Sequence, residues 1–376
     1  MIYLDNAATT FVKPQSVTGA VIKAFRSCTS SGRGSYESAM KASEIIFSAR
    51  ETACNLFGSP SPEQVVFTSN ATHALNLAIK GLSKKGNCVI SGYEHNSVVR
   101  PIKANELLEC RVAKGKLFTP EMLLKNFERL IDKETAFAVC THMSNVFGYI
   151  LPIERIDEVC SRKGIPLIID ASQSAGCIPI KLSRLRACVC ICMPGHKGLY
   201  GPQGTGVLVC RNGEKLSTVI EGGTGSVSKE FAQPDFMPDR LECGTHNVPG
   251  IAGLLAGMSY VSERGETSIM RRERRLIHEI SKNLQRMEGL KIFVPDDMHL
   301  QGGVLSFVSD RKSPEEISNA LARRKIAVRS GFHCSPLAHS MAETTEGTVR
   351  VSVSDFTAEN EVYLFLKTLS EFLSEQ

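Results

Sequence analysis

Lys197 stands just past an apolar run, in Pro194-Gly195-His196-Lys197-Gly198-Leu199-Tyr200-Gly201-Pro202-Gln203-Gly204-Thr205-Gly206, with four glycines in the nine residues that follow it. Glycines at that density let the backbone turn tightly and pack closely, so the lysine side chain can be aimed into a cleft. An amine held there forms a Schiff base with a carbonyl compound. Asp170 ends the apolar run Ile168-Ile169 and precedes Ala171-Ser172-Gln173. The carboxyl ends of strands are where open α/β sheets build their sites, although an aspartate there can also cap a helix. Thr68-Ser69-Asn70-Ala71-Thr72-His73 lies between a strand-like and a helix-like segment. Its N–H groups and the Thr72 hydroxyl suit a phosphate at a helix N-terminus, or a plain N-cap.

Pyridoxal phosphate needs three such groups: a lysine for its aldehyde, a carboxylate for its ring nitrogen and a cradle for its phosphate. Positioning them requires a sheet. Cys88–Ile90, Ala136–Val139, Pro166–Ile169 and Val189–Ile191 read as short apolar strands, as does Gln64–Thr68. Helical periodicity fills most of the intervals, including Glu37–Leu56 and Ala71–Leu82. Alternating short strands and helices predict an α/β fold with a mainly parallel sheet covered on both faces. Beyond residue 210 the rhythm changes. Glu221–Gly244 reads as a long loop or hairpin, and a helix containing Ile251 and Met258 follows. From Thr267 the pattern is helix, strand (Gly303–Val308), helix, strand, a loop with Cys334, strand (Thr348–Val353) and helix. The expected division is 15–258 for a large cofactor-binding domain. Residues 259–376, joined by 1–14, form a smaller α+β domain carrying the Cys334 loop.

The 376 residues are 42% hydrophobic and 22% charged, with a net charge of +5, the balance of a globular protein. No run is apolar enough to span a bilayer, and the N-terminus lacks a signal-peptide pattern, so a cytoplasmic location is expected. The densest basic cluster, Met270-Arg271-Arg272-Glu273-Arg274-Arg275, reads as a solvated helix face, and no nucleic-acid partner is expected. Thirteen cysteines without an export signal predict free thiols. Cys188, Cys190 and Cys192 alternate and are expected to share one strand face. No C-x-x-C pair occurs, so no metal site is expected. Cys140, Cys190 and Cys210 sit in apolar runs, where burial raises the thiol pKa. Cys334 differs, with Gly331-Phe332-His333 before it and Ser335-Pro336 after it.

Nearly end to end, the sequence resembles the class V aminotransferase-fold pyridoxal-phosphate enzymes, and among them the cysteine desulfurase/selenocysteine lyase branch. The resemblance is carried by Tyr3-Leu4-Asp5-Asn6-Ala7-Ala8-Thr9-Thr10, Ser69-Asn70-Ala71-Thr72, Glu94-His95-Asn96 and Ser144-Asn145-Val146-Phe147-Gly148. It continues through Asp170-Ala171-Ser172-Gln173, Gly195-His196-Lys197 and Glu242-Cys243-Gly244-Thr245 to Arg329-Ser330-Gly331-Phe332-His333-Cys334 and Val349-Arg350-Val351-Ser352. It implies a fold type I transferase with a seven-stranded-type sheet. It also implies a Schiff base on Lys197, Asp170 at the pyridinium nitrogen, Gln173 at the phenolic oxygen and His95 over the ring. Ala71, Thr72 and His196 are implied at the phosphate, with Thr245 completing that site from the other subunit of a homodimer. Asn145 and Arg350 would receive the carboxylate of an amino-acid substrate, and Cys334 would take its sulfur as a persulfide while alanine is released. His333 or Arg329 could lower the thiol pKa, and a sulfur-acceptor protein is a possible partner.

The stretch Arg329–Pro336 resembles the group II enzymes, whose cysteine sits on a short ordered loop. Three departures stand in or beside the expected site. Pro194 replaces a small hydroxyl residue, Gly198 is an added glycine, and Tyr36, after Arg33-Gly34-Ser35, stands where a histidine is frequent. These departures leave room for a substrate other than plain cysteine. Selenocysteine lyase, or a transaminase or other lyase with Cys334 incidental, are the alternatives.

Overall fold

The computed structural model describes residues 1–32 and 34–374; Arg33 of the Arg-Gly segment lies outside the described residues. In chain order the strands are β1 (Ile2–Tyr3), β2 (Val65–Thr68), β3 (Gly86–Ser91), β4 (Leu108–Ala113), β5 (Thr135–Thr141), β6 (Leu167–Asp170), β7 (Cys188–Pro194) and β8 (Gly206–Cys210). They continue as β9 (Leu290–Phe293), β10 (Val304–Ser309), β11 (Ile326–Ala327), β12 (Arg329–Gly331) and β13 (Thr348–Ser352).

A seven-stranded sheet runs in the order β2-β8-β7-β6-β5-β3-β4. Only β8 runs against its neighbours, pairing antiparallel with both β2 and β7. Every residue of β5 is buried, as a strand covered on both faces requires. The helix Glu37–Phe57 ends on Gly58 in the left-handed conformation, and the helix Ala71–Leu82 starts where the Asn70 side chain accepts from the His73 N–H at 2.9 Å. One face of the sheet packs on a core that includes Phe57, Phe127, Ile169 and Leu254. The other packs on Leu75, Ile79, Val98 and Ile102.

A second sheet, β12-β13-β10-β9, is antiparallel, and its core contains Leu276, Ile280, Phe307, Val351 and Phe365. The N-terminal segment joins it. β1 pairs with β11, and Leu4 lies in that same core. The expected junction after residue 258 falls inside the helix Val248–Arg264, and a new helix begins at Glu266.

Two sequence expectations change. Cys188 does not share a face with Cys190 and Cys192. The β6–β7 register shifts between Leu167 and Ile168, and this bulge turns Cys188 into the opposite core. The Met270–Arg275 cluster is not a free solvated face either. Glu273 is buried, Arg272 donates to the carbonyls of Asp355 and Thr357, Arg274 donates to that of Gln301, and Arg275 pairs with Glu359. All thirteen cysteines are free. Among the described residues no helix is long and apolar enough to cross a membrane, and no His/Cys/Asp/Glu group could hold a metal ion.

Candidate active site

A cleft of about 220 Å³ opens at the carboxyl ends of β5, β6 and β7, closed on one side by β12, β13 and the loop after β12. It brings together Ala71, Thr72, His95, Asn145, Asp170, Gln173, His196, Lys197, Cys334 and Arg350, residues that the sequence separates by up to 279 positions (350 − 71). Thr245 is not among them. It is exposed in the loop after Leu241 and lines other hollows with Gly244 and His246. That loop is pinned by Glu242, whose carboxylate is gripped by Arg50 and accepts from the Phe67 N–H and His246. Tyr36, 54% exposed, likewise lies outside the chain's own cleft, whereas Pro194 lines it.

Lys197 sits in the turn after β7, where its carbonyl accepts from the Tyr200 N–H at 2.9 Å and that of Gly195 accepts from Gly201 at 2.7 Å. Gly198 is required there. A Cβ on it would stand 2.4 Å from the Ala175 carbonyl oxygen, far inside van der Waals contact. Burial pulls the Lys197 pKa down to about 8, with Arg350 and Arg329 acting in the same sense and Asp170 and Asp5 opposing them. Asp170 is almost fully buried, and its Oδ1 accepts from the Ser172 N–H at 2.9 Å. Gln173 donates one amide hydrogen to the Ala7 carbonyl at 3.0 Å, which leaves the other free.

His95 caps the helix Asn96–Lys103. Its Nδ1 accepts from the Ser97 N–H at 3.0 Å and lies 2.8 Å from the Ser97 hydroxyl. The single in-plane lone pair of Nδ1 is thereby used, so the neutral ring carries its proton on Nε2. Burial, with Lys197 adding to it, holds the His95 pKa down at about 4. Behind it, Glu94 is fully buried. Its carboxyl accepts from the Ser91 hydroxyl at 2.5 Å and the Thr141 N–H at 2.8 Å, and burial raises its pKa to about 8.

Arg350 lies on β13 directly opposite Arg329 of β12, beneath the Cys334 loop. It is 2% exposed; Nη1 donates to the Asn145 carbonyl at 2.9 Å and Nη2 to Asp5 Oδ1 at 2.6 Å, while Nε has no partner. Among the described residues Cys334 is the one exposed thiol. His333 and Cys334 both have positive φ, 49° and 59°, a backbone state that costs about 1–2 kcal/mol per residue without glycine. The expectation that His333 could act as a cation beside the thiol is not met. Its ring is buried, Nε2 faces the Thr348 hydroxyl and carbonyl, and burial drives its pKa far down, so it stays neutral. His339 is buried as well, bonded to the Thr344 hydroxyl at 2.7 Å.

Sequence reasoning missed the working contacts of Asp5, Ser97 and Ser335. Asp5 lay inside the N-terminal motif, and Ser97 and Ser335 each follow a named site residue closely. Nothing in spacing alone shows that they turn back onto it.

The donor set fits pyridoxal phosphate. The first N–H groups of the helix Ala71–Leu82 have no intrahelical acceptor, and His196 Nδ1 is buried without a partner on the same wall of the cleft. Gly206 lets this corner close up, since a Cβ on it would lie 2.9 Å from Asn70 Cα. Lys197 and Asp170 supply the amine and the carboxylate.

Comparison with known proteins agrees with this architecture. The chain is 30% identical to a probable cysteine desulfurase of Methanothermobacter thermautotrophicus over 98% of its own length and 94% of the relative's. It is 31% identical to one from Aeropyrum pernix over 100% and 95%. Its structure superposes on the apo structure of cysteine desulfurase from Thermococcus onnurineus NA1 with a TM-score of 0.91 at 29% identity, covering 99% of this chain and 94% of that one. The profile described as aminotransferase class-V matches residues 2–365, and the chain belongs to that family.

Proposed function

We propose that this protein is a cysteine desulfurase that binds pyridoxal phosphate on Lys197 and moves sulfur from L-cysteine to Cys334. The observation that carries the reading is the convergence, in one cleft, of a half-buried lysine, a buried aspartate, a buried arginine and an exposed thiol. When bound, pyridoxal phosphate supplies an electron sink that weakens bonds at the substrate's Cα and Cβ.

The chain's own residues do the rest. Lys197 would hold the cofactor aldehyde, and as a free amine it is able to carry a proton near neutral pH. Asp170 would face the ring nitrogen, Gln173 the phenolic oxygen and His95 the ring. Ala71, Thr72 and His196 would hold the phosphate. Arg350 offers the substrate carboxylate a fixed guanidinium. The Cys334 thiolate attacks the substrate sulfur. A sulfur–sulfur bond forms, the carbon–sulfur bond breaks with its electron pair left on carbon, and a proton replaces the sulfur there. Cysteine leaves as alanine and Cys334 becomes a persulfide, exposed where an acceptor protein can reach it.

A homodimer with composite sites belongs to this reading. Thr245 stands exposed outside its own cleft, and the chain exposes Phe11, Phe25, Met40, Phe47, Phe231 and Phe236. The test is Cys334→Ser. Removal of a covalent nucleophile is expected to slow alanine formation by about 10³-fold or more while cofactor binding persists. A variant within threefold of wild type would remove Cys334 from the mechanism.

A further inference from the structure

Asn145 is bonded to both flanks of Cys334. Its Nδ2 donates to the His333 carbonyl at 2.7 Å, and its Oδ1 accepts from the Ser335 hydroxyl at 2.7 Å. Between these contacts the Cys334 carbonyl accepts from the Asn96 N–H at 2.8 Å. Three consecutive residues are therefore anchored, two of them through one side chain. Ser335 is fully buried and Asn145 nearly so, so neither bond is an exposed contact traded freely with water. The segment so held includes the two positive-φ residues His333 and Cys334, a conformation that persists only when surrounding contacts enforce it. The Asn145 carbonyl in turn accepts from Arg350 Nη1 at 2.9 Å. One Nδ2 hydrogen and the Oδ1 of the Asn145 amide are thus committed to the nucleophile's loop, and the second Nδ2 hydrogen is left free.

We propose that Asn145 and Ser335 form a strap that positions the Cys334 thiol for sulfur transfer. The inference rests on the desulfurase reading for what the thiol does. It assigns Asn145 and Ser335 as positioning residues for the nucleophile's loop. A strap of this kind acts on the step in which sulfur moves and not on capture of the amino acid, because alanine and cysteine share the carboxylate and differ in the sulfur.

The experiment uses the cofactor-loaded protein and three variants, Ser335→Ala, Asn145→Ala and the pair. Hydrogen exchange at the Ser335 amide, which donates to the Phe332 carbonyl at 2.9 Å, reports opening of the loop independently of turnover. One lost bond of ordinary strength is expected to speed exchange about fivefold, and the two lost in Asn145→Ala about 25-fold. The double variant is expected to match Asn145→Ala, since Ser335 then has no partner left to lose. With L-cysteine, kcat is expected to fall on the order of tenfold in each single variant while KM stays within twofold. L-alanine affinity, measured by equilibrium dialysis, should also stay within twofold. Unchanged exchange in Ser335→Ala would overturn the strap. So would an Asn145→Ala protein that loses alanine affinity tenfold while Ser335→Ala is silent, the pattern of a carboxylate ligand. If wild type formed no alanine from cysteine, the desulfurase reading would fail instead, and exchange and alanine binding would still decide the strap. Should Asn145→Ala not fold, Ser335→Ala alone decides it through exchange and the kcat-against-KM split.

Discussion

The depressed pKa of Lys197 gives a prediction about reactivity that can be worked numerically. An exposed lysine titrates near 10.5, and burial in the cleft brings this one to about 8. At pH 7.5 the neutral fraction is then about a quarter rather than about one in a thousand, a gain of roughly 240-fold in the form that attacks an aldehyde. The sign follows from the cause. Burial and the nearby Arg350 and Arg329 disfavour the ammonium, so the amine is present above pH 8 and is lost as pH falls through it. Cofactor-free protein mixed with pyridoxal phosphate should bind it covalently at a rate that rises with pH through a midpoint near pH 8, read by absorbance and trapped with borohydride. Asp170 opposes the depression, so Asp170→Asn should move the midpoint lower although it weakens retention of the cofactor. A midpoint above pH 10, or trapping on a lysine other than Lys197, would refute the reasoning.

Arg350→Lys keeps the charge but cannot bond Asn145 and Asp5 together while gripping a carboxylate, so KM for cysteine should rise by about 10–100-fold, measured by steady-state kinetics. Glu242→Gln leaves Arg50 buried without its counter-ion and should cost about 3–5 kcal/mol in urea unfolding. Burial raises the Glu242 pKa, but Arg50 and His246 outweigh it and hold the carboxyl at about 2. The contribution is therefore full above pH 4.5 and is lost as pH falls toward 2, so the gap between wild type and variant should narrow over that window.

The parallel sheet was legible because its strands are short apolar runs separated by periodic helices, and the helix Ala71–Leu82 appears where the sequence places it. β4 and β8 escaped notice. Leu108–Ala113 is an edge strand interrupted by Glu109 and Arg111, and Gly206–Cys210 begins in a glycine-rich turn, so neither shows a clean pattern. The site's large groups were readable from their motifs, because a lysine, an aspartate, an arginine and a thiol each advertise a chemistry. What could not be read was orientation. His333 looks like a cation beside a cysteine in sequence, yet the positive φ values of the loop send its ring into the core toward Thr348. Asn145 looks like a ligand, and its amide holds the loop. Cys188 alternates with Cys190 on paper, and one bulge separates them.

The central claim is that sulfur passes to Cys334. Purified protein mixed with one equivalent of L-cysteine, quenched within the first turnover and mapped by mass spectrometry, tests it most directly. One alanine is expected for each persulfide, with that persulfide on the peptide containing Cys334. Alanine formed while Cys334 remains an unmodified thiol, or a keto acid in place of alanine, would contradict it.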